Sequence, residues 1–96
     1  MYYVYVLQSL RDGKFYKGIT ANLKKRTEEH NAGKNFSTAP RRPFRLVYYE
    51  AYLLKDDALA REKYLKTSMG KRVLKKQLKN FIRLAKFDRI SIDSVK

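Results

Sequence analysis

The sequence contains no cysteine and a single histidine in 96 residues. The first absence excludes a disulfide framework, a cysteine-based zinc site and a thiol nucleophile. The second excludes a metal site built from several histidines. Acidic residues are also scarce, nine Asp and Glu against 23 Lys and Arg, so two metal ions clamped by a cluster of acids are not expected. No apolar run approaches the roughly 20 residues that span a bilayer. Met1 to Leu10 alternates like a strand, with no basic region ahead of an apolar stretch, and does not read as a secretory signal. No membrane partner is expected. The cysteine usage fits a reducing compartment, which makes the cytoplasm the expected location.

What is present is charge and aromatic surface. The net charge is +14, yet 44% of residues are hydrophobic and 14% aromatic, enough apolar matter for the chain to fold. Excess positive charge destabilises a compact state by self-repulsion unless something anionic binds it. Nucleic acid is the first candidate partner, DNA before RNA. The length allows one small domain, expected over residues 1–87, with 88–96 as a C-terminal tail or edge strand.

Tyr2 to Leu7 and Phe15 to Thr20 read as strands, with Asp12-Gly13 between them as turn chemistry, and so as a hairpin. Asn22 is a fitting N-cap for a helix running to about Ala32, where Gly33 supplies a left-handed stop. Residues 34–43 form a loop, and Phe44 to Leu53 a third strand. Asp56 or Asp57 starts a second helix that reaches about Thr67. Ser68-Met69-Gly70 interrupts, and a third helix runs from Lys71 to about Lys86. The order β-β-α-β-α-α, without a βαβ repeat, predicts an α+β fold: a small, largely antiparallel three-stranded sheet flanked by three helices.

Three features of this pattern bear on chemistry. In the first helix, stepping by about 100° per residue from Leu23 puts Arg26, Thr27 and His30 on the apolar side, so an arginine and the histidine face the sheet. In the second helix Ala58, Glu62 and Leu65 fall on one stripe, which sets a carboxylate among apolar residues. Such a charge needs a cation: Lys66 one turn on, an arginine from another element, or a divalent metal. Tyrosine is the third feature, with eight in the chain. Most lie in predicted strands, where packing is their ordinary role. If Asp12-Gly13 is a two-residue turn, Tyr5, Tyr16 and Gly18 share a sheet face.

Tyr3-Val4-Tyr5, then Tyr16-Lys17-Gly18, then Arg26 and His30, then Glu62 resemble the GIY-YIG nuclease domain over residues 1 to about 82. The spacings from Tyr5 to Tyr16, Arg26 and His30 carry the resemblance together; either tripeptide alone would carry nothing. The chain looks like a small stand-alone member, with Ser37-Thr38-Ala39 and basic residues ahead of Leu46-Val47-Tyr48-Tyr49-Glu50. Tyr3 stands where the signature has its first glycine, and Lys17 where it has an aliphatic residue. Asn80 is the one candidate for the asparagine that recurs after the family glutamate. The resemblance implies hydrolysis of phosphodiesters, with Tyr5, Tyr16, Arg26, His30 and Glu62 as catalytic residues. Glu62 would hold Mg²⁺ or Mn²⁺, and Arg26 would contact the scissile phosphate. Tyr5 or Tyr16 would act as general base; the preferred assignment is Tyr5 as base and Tyr16 as a ligand of phosphate or water, although spacing does not separate the two. Arg26 and the ion would favour the phenolate, and His30 would assist proton transfer or orient a tyrosine.

Nucleic acid would be held by the basic surface. Residues 61–89 carry 11 basic and two acidic side chains. In the third helix Leu74, Leu78, Phe81 and Ala85 form a core stripe. Lys71, Arg72, Lys75, Lys76, Lys79 and Arg83 are left to track phosphates. Lys17, Arg41 and Arg42 are further candidate contacts. Such contacts position without reading bases, which predicts weak sequence preference. The leading expectation is a metal-dependent endonuclease acting on DNA; the alternative is a non-catalytic nucleic-acid-binding module on the same scaffold.

Overall fold

A computed structural model describes residues 1–85, which fall into two compact units, one spanning Met1–Tyr64 and the other beginning at Leu65. The tail or edge strand expected at 88–96 lies outside the described residues. The first unit holds strands β1 (Tyr2–Ser9), β2 (Phe15–Thr20) and β3 (Phe44–Tyr52) and helix α1 (Leu23–Asn31). Helix α2 (Lys55–Leu65) runs to its end, and α3 (Ser68–Gln77) belongs to the second unit. The sheet is antiparallel throughout in the order β2-β1-β3, so the α+β expectation holds.

β1 is the middle strand, and Val4 through Ser9 are all buried. A strand covered on both faces needs no polar alternation, which accounts for the unbroken aromatic and branched run from Tyr2 to Leu7. Tyr5 and Leu7 point to one face and form its core with Phe44, backed by Tyr16 and Leu23. Val4 and Val6 point to the other.

The hairpin register differs from that of a two-residue turn. Tyr5 pairs with Gly18 rather than with Thr20, because Ser9 and Lys14 close a longer connection in which Gly13 takes φ 74°. Ser9 Oγ accepts the Arg11 and Asp12 N–H groups and steadies that loop. A shift by an even number of residues preserves parity, so Tyr5, Tyr16 and Gly18 still share a face.

α1 starts and stops where its capping residues dictate. Asn22 accepts from the Lys25 N–H, and Gly33 follows the helix at φ 76°. In the second unit the helix break lies earlier than expected. Thr67, in extended conformation, accepts from the Gly70 N–H and starts α3, so Ser68-Met69-Gly70 is its first turn rather than an interruption. The expected single helix to Lys86 is broken at Leu78 (φ −101°, ψ 19°), and helical backbone resumes over 79–85. The core stripe of that segment is as expected: Leu74 and Ala85 are buried, Leu78 and Phe81 half-buried.

Candidate active site

The site is assembled on the Tyr5 face of the sheet. Tyr5 is 1% exposed, and its ring lies flat over its cross-strand partner Gly18. A Cβ at position 18 would stand 2.5 Å from Tyr5 Cζ and closer still to the phenol oxygen. Glycine at 18 is therefore a matter of space, for nothing larger fits beneath the phenol. Tyr16, half-buried two residues earlier on the same face, has its ring centroid 6.4 Å from that of Tyr5 and 5.0 Å from that of His30.

α1 brings its polar inward face onto these tyrosines. Its seating on β3 is fixed by Asn31, whose side-chain amide donates to the Phe44 carbonyl at 3.0 Å and accepts the Phe44 N–H at 2.6 Å. One residue earlier His30 is fully buried, with Nε2 3.0 Å from the Tyr5 hydroxyl and Nδ1 2.8 Å from Thr38 Oγ1. Leu23, Arg26 and Thr27 are half-buried on the same side, as the helical spacing predicts.

Arg26 closes the group. Its guanidinium lies against the Tyr5 phenol and 3.4 Å from Glu29, one turn on, and the phenol contact keeps it firmly charged. Burial pushes the Tyr5 phenol above its ordinary value; Arg26 pulls it down, while Tyr16 and the Glu62 carboxylate push it up. The net shift is upward, because desolvation outweighs the pull of Arg26, which acts in the direction expected of it. His30 moves the other way. Burial lowers it and the Arg26 charge lowers it further, against a smaller opposing pull from Glu29, so it is a neutral imidazole at pH 7. Glu62, half-buried on α2, is close enough for its charge to act on Tyr5.

The remaining candidates lie elsewhere. Lys17 is paired with Val6 and points to the opposite sheet face. Arg41 is drawn to Asp12 at 2.9 Å and lies over the Phe44 ring, and there it braces the hairpin loop. Arg42 is exposed and donates to the Ala39 carbonyl. In the second unit Lys71, Arg72, Lys75, Lys76, Lys79 and Arg83 are all exposed, as is Asn80.

Two groups were given no role by the sequence reading. Thr38 is buried in a loop with no periodicity to mark it, and only its distance to His30 reveals it. On the far sheet face Glu50 accepts from Arg61 at 3.0 Å and from the Tyr48 and Tyr52 hydroxyls at 2.6 and 2.7 Å. Burial raises the Glu50 carboxyl, the three donors outweigh it, and the group sits below the usual range.

Among the described residues no group of three or more His, Cys, Asp or Glu side chains could cage a metal. One carboxylate on the rim of a phenol-lined site suits a hard cation that keeps most of its waters and shares phosphate oxygens, as Mg²⁺ does. The donor set therefore fits a cation held jointly with substrate and does not fit a closed structural site.

An antiparallel three-stranded sheet presenting two tyrosines to an arginine, a histidine and a nearby glutamate defines a nuclease-type domain. The family model described as GIY-YIG catalytic domain matches residues 1–77, and the chain belongs to that family. It is similar to a UPF0213 protein of Lacticaseibacillus paracasei, 48% identical over 68% of this chain and 73% of the relative. A UPF0213 protein of Staphylococcus haemolyticus is 40% identical over 77% of this chain and 90% of its own. The solution structure of a UPF0213 protein from Bacillus halodurans matches 80% of this chain and 85% of its own, at 34% identity and a TM-score of 0.50. GIY-YIG domains are generally endonucleases that act on DNA with divalent metal ions. No helix among the described residues is long and apolar enough to cross a membrane.

Proposed function

We propose that the protein is a metal-dependent endonuclease that hydrolyses phosphodiester bonds in DNA with weak sequence preference. The observation that carries the reading is the Tyr5 phenol held between the Arg26 guanidinium and His30 Nε2, with the Glu62 carboxylate within electrostatic reach. A divalent cation held by Glu62 supplies, when bound, Lewis-acid polarisation of the phosphate oxygens. Arg26 has several N–H donors, of which Tyr5 and Glu29 occupy only part, and the rest are available to the non-bridging oxygens.

In the free protein Tyr5 keeps its proton. Ordinary phenol and imidazole values differ by about 3.5 units, or about 5 kcal/mol, and both shifts widen that gap. Substrate narrows the gap, because a phosphate on Arg26 offsets the positive charge that adds to burial in depressing His30. As the attacking water bonds to phosphorus, its proton goes to the Tyr5 oxygen and the Tyr5 proton goes to His30 Nε2. The departing alkoxide takes a proton from solvent as its bond to phosphorus breaks. Tyr16, half-buried beside His30, orients the water or a phosphate oxygen. The exposed cations of the second unit hold the strands through phosphate contacts.

The test is cleavage of supercoiled and branched DNA with Mg²⁺ or Mn²⁺. Arg26→Ala and Glu62→Gln are each expected to lower turnover by at least about 100-fold. Equal cleavage by wild type and both variants rejects the site, and salt-sensitive binding without any turnover leaves the binding-module reading in its place.

A further inference from the structure

We propose that Thr38 is a positioning residue that fixes the tautomer of His30, so that Nε2 is always the bare nitrogen facing Tyr5. The inference rests on the hydrolytic reading for its purpose, though its geometry does not depend on that reading. The Tyr5 hydroxyl lies 3.0 Å from His30 Nε2, and the Arg26 charge acts on the phenol oxygen, an arrangement that turns the phenol hydrogen away from the cation and toward Nε2. Nε2 must then be the acceptor, and the ring hydrogen must sit on Nδ1, 2.8 Å from Thr38 Oγ1. Thr38 can receive that hydrogen because its own hydroxyl has an acceptor in the Asn35 carbonyl at 3.4 Å. Tyr5, His30 and Thr38 thus each donate once in the same direction, and the Asn35 carbonyl accepts at the end of the chain.

The loop around Thr38 is shaped to hold it there. The Asn35 carbonyl also accepts the Thr38 and Ala39 N–H groups, and the Asn35 side-chain oxygen accepts from the Ser37 N–H and hydroxyl. Thr38 itself is 1% exposed, so no water competes for Nδ1. The groups facing His30 are Tyr5 from β1, Tyr16 from β2, Phe44 from β3, and Arg26 and Glu29 from its own helix. Among the described residues Thr38 makes the one hydrogen bond to Nδ1. When Nε2 takes the Tyr5 proton, Nδ1–H stays on Thr38 and the imidazolium keeps both partners. With the other tautomer Nε2 carries hydrogen already and the phenol proton has no destination.

His30 is the single histidine of the chain, so its ring nitrogens give an unambiguous ¹⁵N NMR pattern. Wild type is expected to show a protonated Nδ1 and a bare Nε2 at neutral pH. Thr38→Val, nearly the same shape without the oxygen, is expected to lose that preference toward Nε2–H or a mixture, and Thr38→Ser to restore it. Cleavage by Thr38→Val should fall by roughly 10- to 100-fold, the range for loss of a group that orients a functional histidine, with Thr38→Ser near wild type. A wild-type ring protonated on Nε2, or a tautomer unchanged in Thr38→Val, overturns the proposal. A shifted tautomer with unchanged cleavage overturns its role in the reaction. If no variant nor wild type cleaves DNA, the nitrogen pattern still decides the tautomer while the hydrolytic reading fails separately.

Discussion

Two clusters of arginine, tyrosine and carboxylate occupy opposite faces of one three-stranded sheet, and they are built to opposite ends. On the far face Glu50 is surrounded: Arg61 and the hydroxyls of Tyr48 and Tyr52 all donate to it, and Arg61 lies over the Tyr64 ring. Both Glu50 oxygens meet donors. The raised acidity of Glu50 and the Tyr52 hydroxyl, pushed up to about 12 by burial and by Glu50, describe charges that have found their partners. On the near face Arg26 has a long contact to Glu29 and a phenol, and Tyr5 and His30 are both pushed away from their charged forms. The first cluster spends its electrostatics on holding α2 to the sheet; the second holds its electrostatics in reserve for an anion that arrives later.

The comparison breaks most sharply at the two arginines. Arg26→Ala is expected to cost at least about 100-fold in DNA cleavage and little stability. Arg61→Ala should leave cleavage within a small factor at a temperature where the protein is folded. It should cost about 2 kcal/mol in denaturant unfolding, because the half-buried Glu50 loses a charged donor but keeps two hydroxyls. The two losses landing on the same variant would erase the distinction between the faces.

Much of the near face was legible in the sequence. Helical spacing places Arg26 and His30 beside Leu23, and strand parity places Tyr5, Tyr16 and Gly18 together even though the turn is longer than its Asp-Gly suggests. Parity survives a shift by two residues, so the face was readable where the register was not. The far face was not legible, because Glu50 and Arg61 become neighbours only where α2 meets β3, and spacing within either element does not show that meeting. Thr38 was hidden for a related reason: loops carry no period. The net direction of the Tyr5 shift was equally out of reach, since it depends on how completely α1 covers the phenol.

Gly18 sharpens the comparison from another side. A methyl group at 18 has to occupy space already taken by the Tyr5 ring, and the ring must tilt away from Gly18 and disturb its contacts with His30 and Arg26. Gly18→Ala is expected to destabilise by about 1–3 kcal/mol and to lower cleavage of the folded protein by more than that loss explains. Cleavage by folded Gly18→Ala equal to wild type would mean that the phenol can move without consequence, and with it the tight seat assigned to Tyr5.

The smallest effects concern pH, and here the two faces separate by window rather than by sign. His30 has a folded value below its ordinary 6.5. As pH falls through that ordinary value the unfolded chain takes a proton that the native state refuses, and stability begins to decline. Glu50 has a folded value below its ordinary 4.5. Its contribution is fully present above the unfolded value and is lost only as pH drops through the lower folded one. Acid should therefore erode stability in two stages, the near face first and the far face second. Denaturant unfolding followed between about pH 7 and 3 checks this: Glu50→Gln should flatten the lower stage and leave the upper one, and His30→Gln should do the reverse. A single stage abolished by Glu50→Gln alone would mean that His30 titrates as an exposed imidazole, and an exposed imidazole could not serve as the waiting acceptor for the Tyr5 proton.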